Sequence, residues 1–308
     1  MKKIIFLLMI SMIMFAPLAT VDASTAAKTT AQTATVTKWT SQNGLQRVEK
    51  IGKAILQKNS LPTQVKFTVM ETDDINAFAS NEDTICVYTG LLNYVSDDNE
   101  LAGVIAHEIG HIVNHHVAKQ SIVNVLTSNA IANANVTEDV KTGAVLINNL
   151  TMLKMSRKQE YEADITGVDL MIKAGYNPLA MVSLLYKISG NYVDFASDHP
   201  SGDKRTMYIY DYMTYTYPAK VKASYNSDAY KQFMQYATPI VNARNSSSSK
   251  LAKFNKEQAK LQKERAKKMQ KYSTEGASNG WSTSFGILRS LYEGAQASDT
   301  NNSSGQTK

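Results

Sequence analysis

Leu101-Ala102-Gly103-Val104-Ile105-Ala106-His107-Glu108-Ile109-Gly110-His111-Ile112-Val113 is the stretch on which the reading of this chain turns. Two histidines stand four positions apart, a glutamate follows the first, and apolar residues flank all three. In a helix, positions i and i+4 lie about 40° apart around the axis, so both imidazoles reach one metal ion. Glu108 sits about 100° from His107, beside such an ion rather than on it, where it suits a base acting on a zinc-held water. With 5 histidines in 308 residues, the pattern arises by chance only about 0.003 times. Two surface histidines on an ordinary helix are a poor alternative, given the apolar flanks. Asp97 and Glu100 have capping-box spacing, which starts the helix near Asp98.

A catalytic zinc needs a third protein ligand. One known solution puts Gly at 114 and His at 117, but Asn114 and Val117 stand there. The other is a carboxylate on a later helix, and the richest candidate is Ser156-Arg157-Lys158-Gln159-Glu160-Tyr161-Glu162-Ala163-Asp164. Glu160 and Asp164 share a helix face, while Glu162 points about 200° away from Glu160. Glu160 is therefore expected as the ligand. Asp164 is expected beside it, accepting from the free N–H of a ligand histidine. Glu162 reads as a surface charge. His115 and His116 lie off the ligand face and read as packing or supporting residues.

Working outward, a helix is expected over 41–59, with Leu45, Val48, Ile51, Ile55 and Leu56 on one face. Val65 to Met70 alternates apolar and polar, and Thr84 to Tyr88 is β-branched and aromatic, so both are expected strands. Asn81-Glu82-Asp83 is turn material, and a small antiparallel unit follows from it. The single cysteine, Cys86, rules out an internal disulfide framework and reads as a core hydrophobe. After Gly90 everything reads helical, including 140–173, which stops at Gly175. The fold class expected is α+β, mainly helical, with a small antiparallel sheet and an HExxH helix.

The ends differ in character. Lys2 and Lys3, the apolar run Ile4 to Leu18 and the small residues ending at Ala23 have the form of a cleaved signal peptide over 1–23. Residues 24–39 read as a disordered mature N-terminus, 40–240 as the catalytic domain, 250–271 as a basic helix and 272–308 as a flexible tail. The net charge is +6, and 250–271 alone holds nine Lys or Arg against Glu257 and Glu264. The basicity thus belongs to one segment, and possible docking to a membrane surface is its expected use. Export argues against nucleic acid as a partner.

The motifs Asn76-Ala77-Phe78-Ala79, Thr89-Gly90-Leu91-Leu92, HEIGH, SRKQEYEAD and Asp198-His199-Pro200 occur in one order over residues 40–215. In this the chain resembles the gluzincin-type zinc metallopeptidase family that includes HtpX, BepA and the CAAX prenyl endopeptidase. The resemblance implies a zincin-like catalytic domain, with the first glutamate of the ExxAD motif, Glu160, on the zinc. It also implies an endopeptidase whose substrate lies extended along an edge strand, here Thr84, Ile85, Cys86, Val87 and Tyr88. In relatives, a histidine placed as His199 lies near the zinc, as a transition-state donor or as a fourth ligand that blocks water. Arg205 completes a His-Pro-x-x-x-x-Arg pattern, ordering the loop, holding a carboxylate, or lying on the surface. The transmembrane helices of HtpX and the repeats of BepA are not seen in the sequence.

The expected function is a zinc metalloendopeptidase, with one Zn²⁺ per chain, that hydrolyses exported or misfolded polypeptides of the cell envelope. Glu108 is the base, and His199 assists. The location expected is the periplasm or the extracellular space, soluble after signal cleavage. The rival is a zinc-stabilised, chaperone-like binding protein that does not cut; it would have no need of Glu108.

Overall fold

The computed structural model describes residues 38–61, 64–80, 83–117, 155–189, 199, 202–221 and 224–277, with positions 133, 137 and 141. The expected signal peptide 1–23, nearly all of 24–39 and positions 278–308 of the tail lie outside the described residues. From Lys38 onward the chain is one compact unit.

Helix α1 (Ser41–Lys58) opens on a capping box: the Thr40 hydroxyl takes the Asn43 N–H, and the Asn43 side chain returns to the Thr40 backbone. Its apolar stripe, Val48, Ile51, Ile55 and Leu56, is buried as the spacing predicts. Strands β1 (Lys66–Met70), β2 (Ala77–Ala79) and β3 (Thr84–Tyr88) make one sheet in the order β1-β3-β2. Here the structure departs from the sequence expectation. β1 pairs β3 in parallel, Lys66 facing Thr84 and Met70 facing Tyr88. The antiparallel partner of β3 is β2, Ala77 facing Val87 and Ala79 facing Ile85. The antiparallel neighbour of β3 is thus β2 rather than β1, and the sheet is mixed. Ala-Phe-Ala is three residues with two weak strand formers, so its pairing is a product of tertiary context. Cys86 is buried in β3, and burial pushes its thiol pKa up.

After α2 (Thr89–Tyr94) comes α3 (Asp98–Val113), the helix of the two histidines. Asp97 caps it by accepting from the N–H groups of Asn99 and Glu100. Glu100 does not complete the box. Its carboxylate is fully buried and accepts instead from Ser96 N–H at 2.7 Å and the Ser183 hydroxyl at 3.0 Å. Helix α4 (Arg157–Ala174) carries the ExxAD motif, starts on a Ser156–Gln159 capping box and ends at Gly175 in the left-handed conformation. Helices α3 and α4 pack closely against each other, and glycine permits it. A Cβ on Gly110 would stand 2.6 Å from the Ala163 carbonyl oxygen, and one on Gly167 would stand 3.1 Å from the His107 nitrogen. Backbones that near put side chains from both helices into a single small volume.

Helices α5 (Leu179–Ser189) and α6 (Asp203–Thr216) pack on this pair, α7 (Pro218–Val221) packs on α6, and α8 (Asp228–Asn245) packs on α5. The basic segment is the thirty-residue helix α9 (Ser248–Ala277). It buries Gln258, Arg265 and Tyr272 and packs on α6 and α8. Among the described residues no helix is long and apolar enough to cross a membrane.

Candidate metal centre

Four buried side chains, His107, His111, Glu160 and His199, each offer a donor atom, and these atoms lie within 4.8 Å of one another. Helix α3 supplies the two histidines one turn apart, and α4 supplies Glu160 across the glycine contact. His199 comes from the segment before α6. The Nε2 atoms of His107 and His111 are 3.0 Å apart. Glu160 lies 3.5 Å from the first and 3.4 Å from the second. His199 Nδ1 is 3.2 Å from His107 Nε2 and 3.1 Å from Glu160 Oε1. Zinc–nitrogen bonds of about 2.0–2.1 Å set tetrahedral donors about 3.3 Å apart, so the spacing suits one ion.

Charge makes the same demand. Glu108, Glu160 and Asp164 are all buried at the site, and the guanidinium of Arg205 is the permanent cation among them. When the three carboxylates are ionised, Arg205 and a protonated His199 leave one negative charge over in a water-poor volume, and with His199 neutral there are two. A divalent cation offsets that charge. Burial pushes His111 down to about 3, partly opposed by its hydrogen bond to Glu160. The ring is then neutral, and its Nε2 faces the cluster. Burial opposes the ionisation of Glu160, yet the charges of His199 and Arg205 hold its pKa well below the usual carboxylate range.

Supporting contacts surround the four. His107 Nδ1 is 2.8 Å from Asp164 Oδ1, the contact expected of an orienting carboxylate. Arg205 grips Asp164 with two donors, at 2.5 and 2.7 Å, and reaches Glu160 at 2.8 Å and the His199 carbonyl at 3.3 Å. It is 2% exposed, which removes the surface alternative for Arg205. Glu108 is 1% exposed and points at the group without joining it, 3.6 Å from His199 Nε2. Burial raises its pKa, against the pull of His199, His107 and the Ala79 N–H. His199 is pushed up to about 9, because Glu160 and Glu108 outweigh the effect of burial.

Two sequence expectations need correction. Thr84 to Tyr88 is the central strand, bonded on both sides, so an added peptide strand has no edge there. Among the described residues the outer strand beside Glu108 is β2, whose Ala79 N–H is donated to that carboxylate. Glu162 is not a bare surface charge: it contacts His116 Nε2 at 3.4 Å and the Lys268 ammonium of α9. His116, in turn, has its Nδ1 3.0 Å from His111 Nδ1. Helical phase missed this pair, because α3 stops at Val113 and the chain bends back through His115, which is left-handed at φ 56°.

A model of peptidase family M48 matches residues 42–211. The mitochondrial metalloendopeptidase OMA1 of Arabidopsis thaliana is 38% identical over 138 residues, 43% of this chain and 28% of that protein. Metalloprotease LoiP of Escherichia coli is 32% identical over 161 residues, 49% of this chain and 63% of LoiP. Metalloprotease YcaL of the same organism is 31% identical over 175 residues, 54% of this chain and 68% of YcaL. The chain thus covers less than two thirds of the first two relatives. The relatives also overturn the expected location. A protein named mitochondrial, in Arabidopsis and again in Schizosaccharomyces pombe, shares this domain, so the motifs do not imply periplasmic or extracellular residence.

Proposed function

The chain belongs to peptidase family M48, and from that premise we propose that it is a zinc metalloprotease, with a role for each residue at its centre. His107, His111 and Glu160 hold the zinc, Asp164 orients His107, and Arg205 braces both carboxylates. The observation that carries this is the cluster of buried donor atoms with Glu108 beside it. A zinc ion held by these residues would supply a water of near-neutral pKa and polarisation of the peptide carbonyl. Glu108 accepts the proton from the attacking water and passes it to the leaving amine, and its buried carboxylate beside the cluster is placed for both halves of that task.

His199 has its Nδ1 among the donor atoms. In that position it would be a fourth donor that keeps water out, and cleavage would then require its ring to swing aside. His199→Ala then raises basal cleavage. A fall of roughly 10²-fold with zinc content unchanged assigns it instead as an oxyanion donor.

The substrate is an extended polypeptide laid along the outer edge of β2. Such pairing reads backbone rather than side chains, which suits unfolded or misfolded chains. Casein and a permanently unfolded protein should be cut, and the same protein in its folded form should resist. Equal cleavage of both forms sinks the proposed preference. A chaperone-like role without cutting leaves Glu108 without a use. The exposed face of α9 carries Lys253 and Lys260, with side chains 78% and 79% accessible. It supports docking to an anionic membrane surface, measured as vesicle binding that weakens with salt.

A further inference from the structure

His107 and His111 are both aimed at the cluster, but they are held in different ways. His107 rests directly on Asp164. His111 rests on another imidazole, His116, which is 2% exposed. We propose that His116, Glu162 and Lys268 form a relay that fixes the tautomer and orientation of His111, making helix α9 a working part of the metal centre.

Proton bookkeeping gives the relay one direction. The Lys268 ammonium donates to Glu162 Oε1, and a carboxylate in an ion pair only accepts. Glu162 Oε2 faces His116 Nε2, so the proton of a neutral His116 sits on Nε2 and its Nδ1 presents a lone pair. His111 Nδ1, 3.0 Å away, must then donate. That leaves a lone pair on His111 Nε2, the atom that faces His107 and Glu160. Each link excludes the wrong tautomer of the next, as the outer partners of metal-bound histidines do.

The backbone is arranged to make this possible. Asn114 ends α3, its Nδ2 donating to the Gly110 carbonyl at 2.7 Å and to Thr166 Oγ1 on α4 at 3.0 Å. The left-handed His115 then turns His116 back under the helix. On α9, Lys268 lies between two buried anchors. One turn before it, Arg265 Nε meets Asp169 Oδ2 at 3.0 Å, and Asp169 also accepts from the hydroxyls of Tyr212 at 2.6 Å and Tyr217 at 2.8 Å. One turn after it, the Tyr272 hydroxyl donates to Asn114 Oδ1. Positions 265, 268 and 272 follow the i, i+3, i+7 rhythm of one helix face, and their partners lie on α4 and at the end of α3. The lysine is thus delivered to Glu162 in fixed register.

The inference rests on His107, His111 and Glu160 being the zinc-holding set, and the experiment separates the two. In the full chain, zinc affinity is measured by competition with a chromophoric chelator, and the absorption bands of the cobalt-substituted protein report ligand geometry. Glu162→Gln keeps the shape of the side chain and removes its charge. It and His116→Phe are expected to weaken zinc binding about 10–100-fold and to alter the cobalt bands. Lys268→Met should act in the same direction, Lys268→Arg should restore affinity, and Glu162→Gln with Lys268→Met should be no worse than Glu162→Gln alone. Wild-type zinc affinity and cobalt bands in both Glu162→Gln and His116→Phe overturn the relay. A lowered melting temperature of the metal-free protein without any change in the cobalt bands does so too. Additive losses in the double variant overturn the part given to α9. Glu160→Ala is the control: if it retains zinc, the metal assignment itself fails.

Discussion

Helices α3 and α9 are opposites that serve one centre. In α3 every residue from Glu100 to Val113 is buried, and the three chemical residues occupy five consecutive positions. Helix α9 is longer, strongly basic and exposed over most of its surface, and it touches the site's surroundings through Arg265, Lys268 and Tyr272. The first helix carries its function as a local spacing, and the second carries it as three contacts made across the fold. Substitutions in α3 should therefore appear first in rate and metal content, and those in α9 in stability and in the orientation of a ligand. The comparison fails if that division is not seen.

The largest expected effect lies at Glu108. Glu108→Gln should lower hydrolysis by about 10²–10⁴-fold, as the loss of a general base does. Zinc should stay, because Glu108 is not one of the four clustered donors. Zinc content and casein cleavage, measured on one preparation, check both halves. Near wild-type cleavage removes α3 from the chemistry and ends the comparison.

How much of this was legible in the sequence follows the same division. The HExxH spacing gave His107, His111 and Glu108 together, and helical phase chose Glu160 over Glu162 for the cluster face. His199 and Arg205 were placed by the family pattern, and the structure brings both to the cluster. What could not be read depends on partners far along the chain. Arg265, Lys268 and Tyr272 meet residues 96, 106 and 158 positions away, so in the sequence the two cations look like ordinary members of a solvated +7 segment. Strand β2 was missed for a related reason: Ala-Phe-Ala becomes a strand only because β3 lies alongside it. The error about β3 followed, since a central strand and an edge strand have similar composition when one is judged without its neighbours.

On the α9 side, Arg265→Met should be the most damaging change. It leaves Asp169, 3% exposed, with two tyrosine hydroxyls and no cation. Breaking a buried pair in this way costs about 3–5 kcal/mol. The pH dependence has a definite sign. Burial already raises the Asp169 pKa, with Arg265 opposing, so removing Arg265 raises it further. A carboxyl group whose folded pKa lies above its unfolded value favours folding while protonated, and that advantage is lost as pH rises through the folded pKa. The deficit of the variant should thus be greatest at neutral pH and shrink on acidification. Urea midpoints of the metal-free protein at neutral and mildly acidic pH test it, and a deficit that widens in acid breaks the pairing argument.

The smallest effect sharpens the comparison from the α3 side. Gly110 is the point where α3 meets α4, and a methyl group there would stand 2.6 Å from the Ala163 carbonyl oxygen and 3.1 Å from its Cα. Both are backbone atoms, so no side chain can rotate away, and the helices must separate by a few tenths of an ångström. Overpacking of this kind costs about 1–3 kcal/mol, less than the buried charge at Asp169. The separation carries Glu160 away from His107 and His111 and loosens three donors at once, although Gly110 itself holds nothing. Gly110→Ala should therefore weaken zinc binding more than its loss of stability in the metal-free protein suggests. A matched control on the other helix, Lys260→Ala, removes a charge whose partner Glu264 is 3.9 Å away and largely exposed, so it should change neither quantity measurably. If Gly110→Ala lowers the stability of the metal-free protein and leaves zinc affinity untouched, the α3–α4 contact serves packing alone. The metal geometry must then be set by Arg205 and the relay through His116.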